Sequence, residues 1–431
     1  MQYKCPKYNK WMHQLFNKVN LIQLFIFWFP IAFLSIRHGV HVALYGLFLI
    51  FIYELIQDFK KPFINKRIGL IFLSLSSLFI ATLLQQLISQ DLSLRSFDGP
   101  SRLLFAGIVF IYLCQRDINY IKLIEISTPL GLILLCVYLY FHTDHFWGHR
   151  WANSFVDPNS LGSQATILAL ICLLTLNNKS HVCVNILKVL GAAFGIYLSI
   201  KAESRGGWAT LPFMILTWLV IQIKSNKSQP NQLAKHFLII TSVLISFIIA
   251  AGCLMIFNQT INNRLSQIVY EISTWFIDPL IYTSAGSRMS MWVTSFHLIM
   301  ENWVGYGELE IKQVAANHSQ YSGIHQHGFK DLIQAGPHSD FLSKGLSFGL
   351  LGIVSYLALI FIPFLLFFKN TDARNHDIKK AASIGLLYTT GVFIAGLFNE
   401  ALSLKYLCSF YGLMIACLAA QILRDNSREC N

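Results

Sequence analysis

An all-α integral membrane protein is the fold class that this sequence predicts, on three observations. Of its 431 residues, 55% are hydrophobic and only 13% charged, and the mean hydropathy is +0.53, more apolar surface than a water-soluble core absorbs. Apolar runs of bilayer-crossing length, roughly 17–25 residues as helix, recur along nearly the whole chain. Basic residues gather in alternate connections between those runs, as insertion with Lys and Arg retained on the inner side requires.

About twelve transmembrane helices are expected, near 21–36, 39–57, 68–88, 102–115, 118–141, 159–176, 182–200, 206–223, 236–257, 341–368, 381–398 and 403–422. The first follows Lys4, Lys7, Lys10 and Lys18 with no small-residue cleavage site, and reads as an uncleaved anchor. Orientation follows from charge. Lys60, Lys61, Lys66 and Arg67 follow span two, Arg116 span four, Lys179 span six, and Lys224, Lys227 and Lys235 span eight. Lys369, Arg374, Lys379 and Lys380 follow span ten, and Arg424 and Arg428 follow span twelve, so both termini are expected in the cytoplasm. The net charge of +12 is thereby mostly topological, and no nucleic-acid partner is expected.

The expected organisation is transmembrane helices one to nine over 1–257, a large outward loop over 258–340, and helices ten to twelve over 341–431. Loops of such length are commonly functional. Within it, Arg288 to Trp303 reads RMSMWVTSFHLIMENW, with apolar residues at helical spacing, and predicts an amphipathic or half-buried helix on the outer face ending at Gly305 and Gly307. Of the nine cysteines, Cys114, Cys136, Cys172, Cys183, Cys253, Cys408 and Cys417 lie in or beside apolar spans, as packing residues rather than a disulfide framework.

Some function classes fit poorly. No repeat relates the halves, and Glu54, Lys122, Glu125 and Lys188 form no relay of carboxylates across the bilayer, which disfavours an ion-coupled transporter. No phosphate-cradling P-loop, zinc-protease motif or Ser-His-Asp order stands out.

Four arginines stand in outward segments against the charge bias: Arg150 in GHRWANSFVDPNSLG, Arg205 in KAESRGGW, Arg264 in NNRLSQI and Arg288 in SAGSRMSMW. Guanidinium groups suit phosphate, because the planar fork donates paired hydrogen bonds and keeps its charge. The bland alternative is snorkelling, or a salt bridge to Asp157, Glu203 or Glu271. His338, in AGPHSDFLSKGLSFGLLG where span ten begins, is a candidate general base against a plain interfacial histidine. His318, His325, His327 and Asp331, or His142, Asp144, His145 and His149, could supply metal ligands but lack a recognised spacing, so solvated loop histidines are the favoured reading.

Taken together, SRGGW at Arg205, GSRMSMW at Arg288 followed by NWVGYGELE, and PHSDFLSKGLSFGLLG at His338 resemble the O-antigen ligase and polymerase superfamily of bacterial inner membranes. The resemblance runs from about Arg150 to the end of span ten. It implies a metal-independent, cofactor-free, inverting glycosyltransferase of the membrane-embedded C type, with a periplasmic loop carrying short helices. The implied donor is an undecaprenyl-diphosphate-linked glycan. The implied acceptor of a ligase is a lipid A–core sugar. By this resemblance His338 deprotonates the acceptor, Arg205, Arg264 and Arg288 stabilise the departing diphosphate, Arg150 is a weaker candidate for donor binding, and Asp340 is a candidate to orient His338. An O-antigen polymerase and a pilin O-oligosaccharyltransferase share the donor half of such a site and stay open as alternatives. From a different class, so does a transporter or flippase.

Overall fold

The computed structural model describes residues 18–58, 65–90, 92–143, 145–176, 181–225, 259–307, 313–314 and 324–429. Among these the chain is all-helical, without a strand. In order the helices are α1 Lys18–Ala32, α2 Gly39–Asp58, α3 Lys66–Ser89, α4 Asp98–Leu113, α5 Tyr120–Phe141, α6 Pro158–Leu174 and α7 Val182–Ala202. A single turn, α8 Arg205–Trp208, runs into α9 Thr210–Ser225. Then come α10 Gln259–Ile277, α11 Ser284–Glu301, α12 Ile324–Ala335, α13 Asp340–Asn370, α14 His376–Phe398 and α15 Lys405–Glu429.

Eight of the described helical stretches are long and apolar enough to cross a membrane, and α1 and α6 are shorter apolar helices. Helix stands at eleven of the twelve expected spans, and the ninth, 236–257, lies outside the described residues. These segments are apolar on all sides, which suits lipid and neighbouring helices together. Their ends are marked by side-chain caps: Asn65 accepts from the Ile68 N–H at 2.9 Å and Asn119 from that of Lys122 at 3.2 Å. Pro30, Pro129 and Pro363 sit inside helices, tolerated in a membrane where neighbours re-satisfy the freed carbonyls.

The core forms around α15, whose most apolar stretch is 94% buried against 33% for α2. It packs on α4 and α14, α6 packs on α7, and α13 on α3 and α14. Phe33 and Phe410 stack at a centroid separation of 3.6 Å, and the buried Tyr411 hydroxyl donates to the Leu359 carbonyl at 2.8 Å. Three of the four charges noted inside spans are paired: Lys188 meets Glu125 at 2.5 Å and the Thr175 carbonyl at 3.0 Å, Lys380 meets Glu125 at 2.6 Å, and Arg116 pairs with Glu54.

Two features position the site. Gly349 (φ 58°, ψ −143°) breaks α13 into a short segment from Asp340 and a long one ending at Asn370. Only glycine occupies that backbone region readily, and a Cβ there would overlap the Trp303 carbonyl. The chain after α11 is stitched into the break, with the Leu350 N–H donating to Trp303 at 2.9 Å and the Tyr306 N–H to Leu346 at 2.8 Å. The second feature is the region 258–340, which contains three described helices where sequence predicts one. The anticipated helix is α11, starting one turn earlier at Ser284, and α10 and α12 stand on either side of it in the chain. Helix α11 packs against both, and against α13.

Candidate active site

The stretch RWANSFVDPNSLG folds around a helix start. Asp157 caps α6, accepting from the Asn159 and Ser160 N–H groups at 2.9 and 3.0 Å, with Pro158 supplying the pre-set first-turn backbone. Arg150 braces this start against the end of α7: its Nε donates to the Ala202 carbonyl at 2.9 Å and its Nη2 to Asn159 Oδ1 at 2.7 Å.

SRGGW forms the turn that follows. Ser204 caps it, accepting from the Gly207 N–H at 3.2 Å. The turn lies so close to α6 that a Cβ on Gly207 would come within 2.9 Å of Ser163 backbone atoms. That close approach fixes Arg205 at the mouth of a cavity. Its Nη1 meets Glu271 Oε2 at 3.0 Å and its Nη2 donates to Gln267 Oε1 at 2.6 Å. The same Glu271 oxygen accepts the Ala285 N–H at 2.8 Å, so one buried carboxylate ties α8, α10 and the first turn of α11 together.

Arg288 stands one turn into α11, behind the Thr283 cap. Its one described hydrogen bond is Nη1 to the Phe398 carbonyl at 3.4 Å, which leaves most of its five N–H donors for a ligand. Burial, and next the charge of Arg205, pull its pKa below the ordinary arginine value, while Glu271 and Asp157 oppose the shift.

Arg150, Arg205 and Arg288 line one cavity of about 440 Å³, with Asn159, Glu203, Trp292 and Asn399. Arg288 also lines a second cavity of about 230 Å³, with Tyr282, Asp331, Gln334 and His338. Arg264 stands on α10 one turn before Ile268, a residue of the larger cavity, and its side chain lies outside what the structure describes.

His338 occupies the left-handed region at φ 49°, a strained setting for a non-glycine residue. Its N–H is held by Glu400 Oε1 at 3.0 Å, while Glu400 Oε2 accepts from Ser343 Oγ at 3.0 Å. The Pro337 carbonyl before it accepts from Trp292 Nε1 at 3.1 Å. Burial, then the Arg288 charge, push the imidazole pKa down to about 4, against the pull of Asp157 and Asp331. The ring is therefore neutral near pH 7 and free to take a proton.

Asp340 does not orient this ring: both its oxygens accept from the Leu402 N–H, at 2.9 and 3.1 Å. One turn on, Lys344 donates to Ser403 Oγ at 3.0 Å, and together the two anchor the turn that carries Glu400. Of the residues weighed as metal ligands, His149 meets Glu203 at 3.0 Å and Asp331 accepts from Ser287. His318 and Asp144, and the side chains of His145, His325 and His327, lie outside the described residues.

Sequence reasoning missed Glu400. Its signal was available: it is the one acidic residue in the short outward turn 399–402.

The arrangement defines a multi-pass helical membrane protein with an arginine-walled cavity beside a buried neutral histidine at one end of its helices. Residues 189–357 match the family model described as O-Antigen ligase, which supports the likeness to the O-antigen ligase and polymerase superfamily. The match takes in Arg205, Arg264, Arg288 and His338, and Arg150 precedes it. No curated protein matches the chain.

Proposed function

We propose that the chain is an O-antigen ligase of the bacterial inner membrane. It moves a glycan from an undecaprenyl-diphosphate carrier to a lipid A–core sugar hydroxyl on the periplasmic face. Both termini are cytoplasmic in this reading, and 258–340 is the periplasmic loop. The observation that carries it is Arg288 lining both cavities, so that a diphosphate held by arginines in one lies next to a hydroxyl presented to His338 in the other.

The chemistry follows from the parts. The acceptor oxygen attacks the anomeric carbon from the face opposite the diphosphate, and the bond from that carbon to the diphosphate oxygen breaks, inverting the centre. The acceptor proton passes to His338 and later to water. Negative charge grows on the departing diphosphate, where Arg288 and Arg205 offset it without a metal ion. Binding that dianion also counters the Arg288 charge that depresses His338, making the imidazole a stronger base once donor is in place. Arg150 acts at a distance, by holding the α6 start and Asn159.

Purified protein incubated with lipid-linked glycan and rough lipopolysaccharide, without nucleotide or added metal, should build a ladder on the lipopolysaccharide. Elongation of the carrier-bound glycan instead would overturn the ligase assignment in favour of a polymerase. His338→Ala should bind donor normally and lose transfer. Unchanged laddering in that variant would remove His338 from the mechanism.

A further inference from the structure

Helix α14 joins two different cavities. Phe398 and Asn399, at its end, line the arginine cavity. His376, Lys379 and Lys380, at its start, line another of about 420 Å³. Lys380 and Phe398 are separated by about 27 Å along the helix axis at the usual rise per residue, so the second cavity opens near the opposite face of the membrane.

Its charge is unbalanced. Lys380 is bridged to Glu125 at 2.6 Å, and Glu125 is shared with Lys188 at 2.5 Å. Asp372 is taken by Lys224 at 3.1 Å, and Asp377 by Asn119 at 2.6 Å. Among the described residues, Arg374 and Lys379 have no carboxylate partner, and no carboxylate lines the cavity. Thr175, Gln222 and Ser225 add hydroxyl and amide groups, whereas Trp218 supplies an apolar wall. Loose cations on a loop need no ligand, because topology alone accounts for them. Convergence on one concave cavity is different: it concentrates their field on whatever enters. The mixture of paired cations, hydroxyls and apolar wall suits an amphiphile better than a small soluble anion.

We propose that this cavity binds the phosphate of an anionic phospholipid headgroup, in the leaflet opposite the arginine-lined cavity, with Arg374 and Lys379 as its charge partners. Helices α6, α9 and α14 meet there, so a bound headgroup ties the start of α14 to the ends of its neighbours.

Purified protein in neutral detergent, titrated with dioctanoyl phosphatidylglycerol and read by native mass spectrometry, should show one saturable lipid. Arg374→Ala/Lys379→Ala should weaken it about tenfold or more, whereas Arg374→Lys/Lys379→Arg, which keeps one guanidinium fork and one ammonium in the cavity, should stay within about threefold. Equal binding by wild type and the double alanine variant would overturn the proposal. So would equal binding of dioctanoylglycerol, which lacks the phosphate, or displacement of the lipid by an equal concentration of inorganic phosphate, which would mark a soluble-anion site. If the double alanine variant is not monodisperse, Arg374→Gln and Lys379→Gln singly must each lower the affinity for the idea to stand.

Discussion

Replacing Glu400 with alanine tests how the fold holds its base. The carboxylate receives two hydrogen bonds of 3.0 Å, one from the His338 N–H and one from Ser343 Oγ. Hydrogen bonds to a charged acceptor are worth about 1.5–3 kcal/mol each, and water recovers part of that in a half-open site. Against them stands the left-handed backbone of His338, which costs about 1–2 kcal/mol in a non-glycine residue. Without the carboxylate that strain is unopposed, and the chain relaxes toward ordinary φ values, carrying the ring out of line. A loss of about 1.4 kcal/mol in the aligned population lowers the transfer rate about tenfold. The assay is the initial rate of glycan transfer at saturating donor and acceptor, with melting temperature as the control for folding. Because Glu400 acts through His338, the Glu400→Ala/His338→Ala pair should be no slower than His338→Ala alone. A well-folded Glu400→Ala enzyme at the wild-type rate, or a loss that adds in full to that of His338→Ala, would refute the reasoning.

Other perturbations follow from the same geometry. Arg288→Lys keeps the charge and loses the fork, so the transfer rate should fall about a hundredfold with donor affinity changed far less; near-normal rates would exclude paired phosphate contacts there. His338 has a folded pKa near 4 against 6.5 unfolded, so the unfolded chain takes up the proton first. The stability it contributes is whole above pH 6.5 and lost as pH falls from 6.5 toward 4, and a melting curve for His338→Asn, which tolerates the left-handed backbone, should fall less over that range. Gly349→Ala forces a side chain into a glycine-only conformation against the Trp303 carbonyl, and should cost about 2–3 kcal/mol, read as a lower melting temperature in detergent.

The sequence read most clearly where physics is local. Long apolar runs show their helices, and Arg150, Arg205 and Arg288 stood out because they oppose the charge bias of insertion. The structure brings those three to one cavity, with His338 next door. Helix α10 was legible but overlooked: Leu265, Ile268, Val269, Ile272 and Phe276 recur at helical spacing, masked by Asn262, Asn263 and the β-branched Ile261 at its start. The break at Gly349 was hidden by an apolar run that continues through it, and depends on a loop more than forty residues earlier in the chain. Glu400 rather than Asp340 meets His338, through the backbone N–H, for a similar reason: which acid reaches that residue is decided by how the turn after α14 docks on α13, a tertiary fact that no local pattern carries.

Arg288, with Ser284 one turn before it, borders both chambers, of about 440 and 230 Å³. Trimming it would do more than weaken a grip on phosphate. It would widen the opening between the rooms and let solvent nearer the reactive carbon, so spilled sugar and wasted carrier should accompany the slowed transfer.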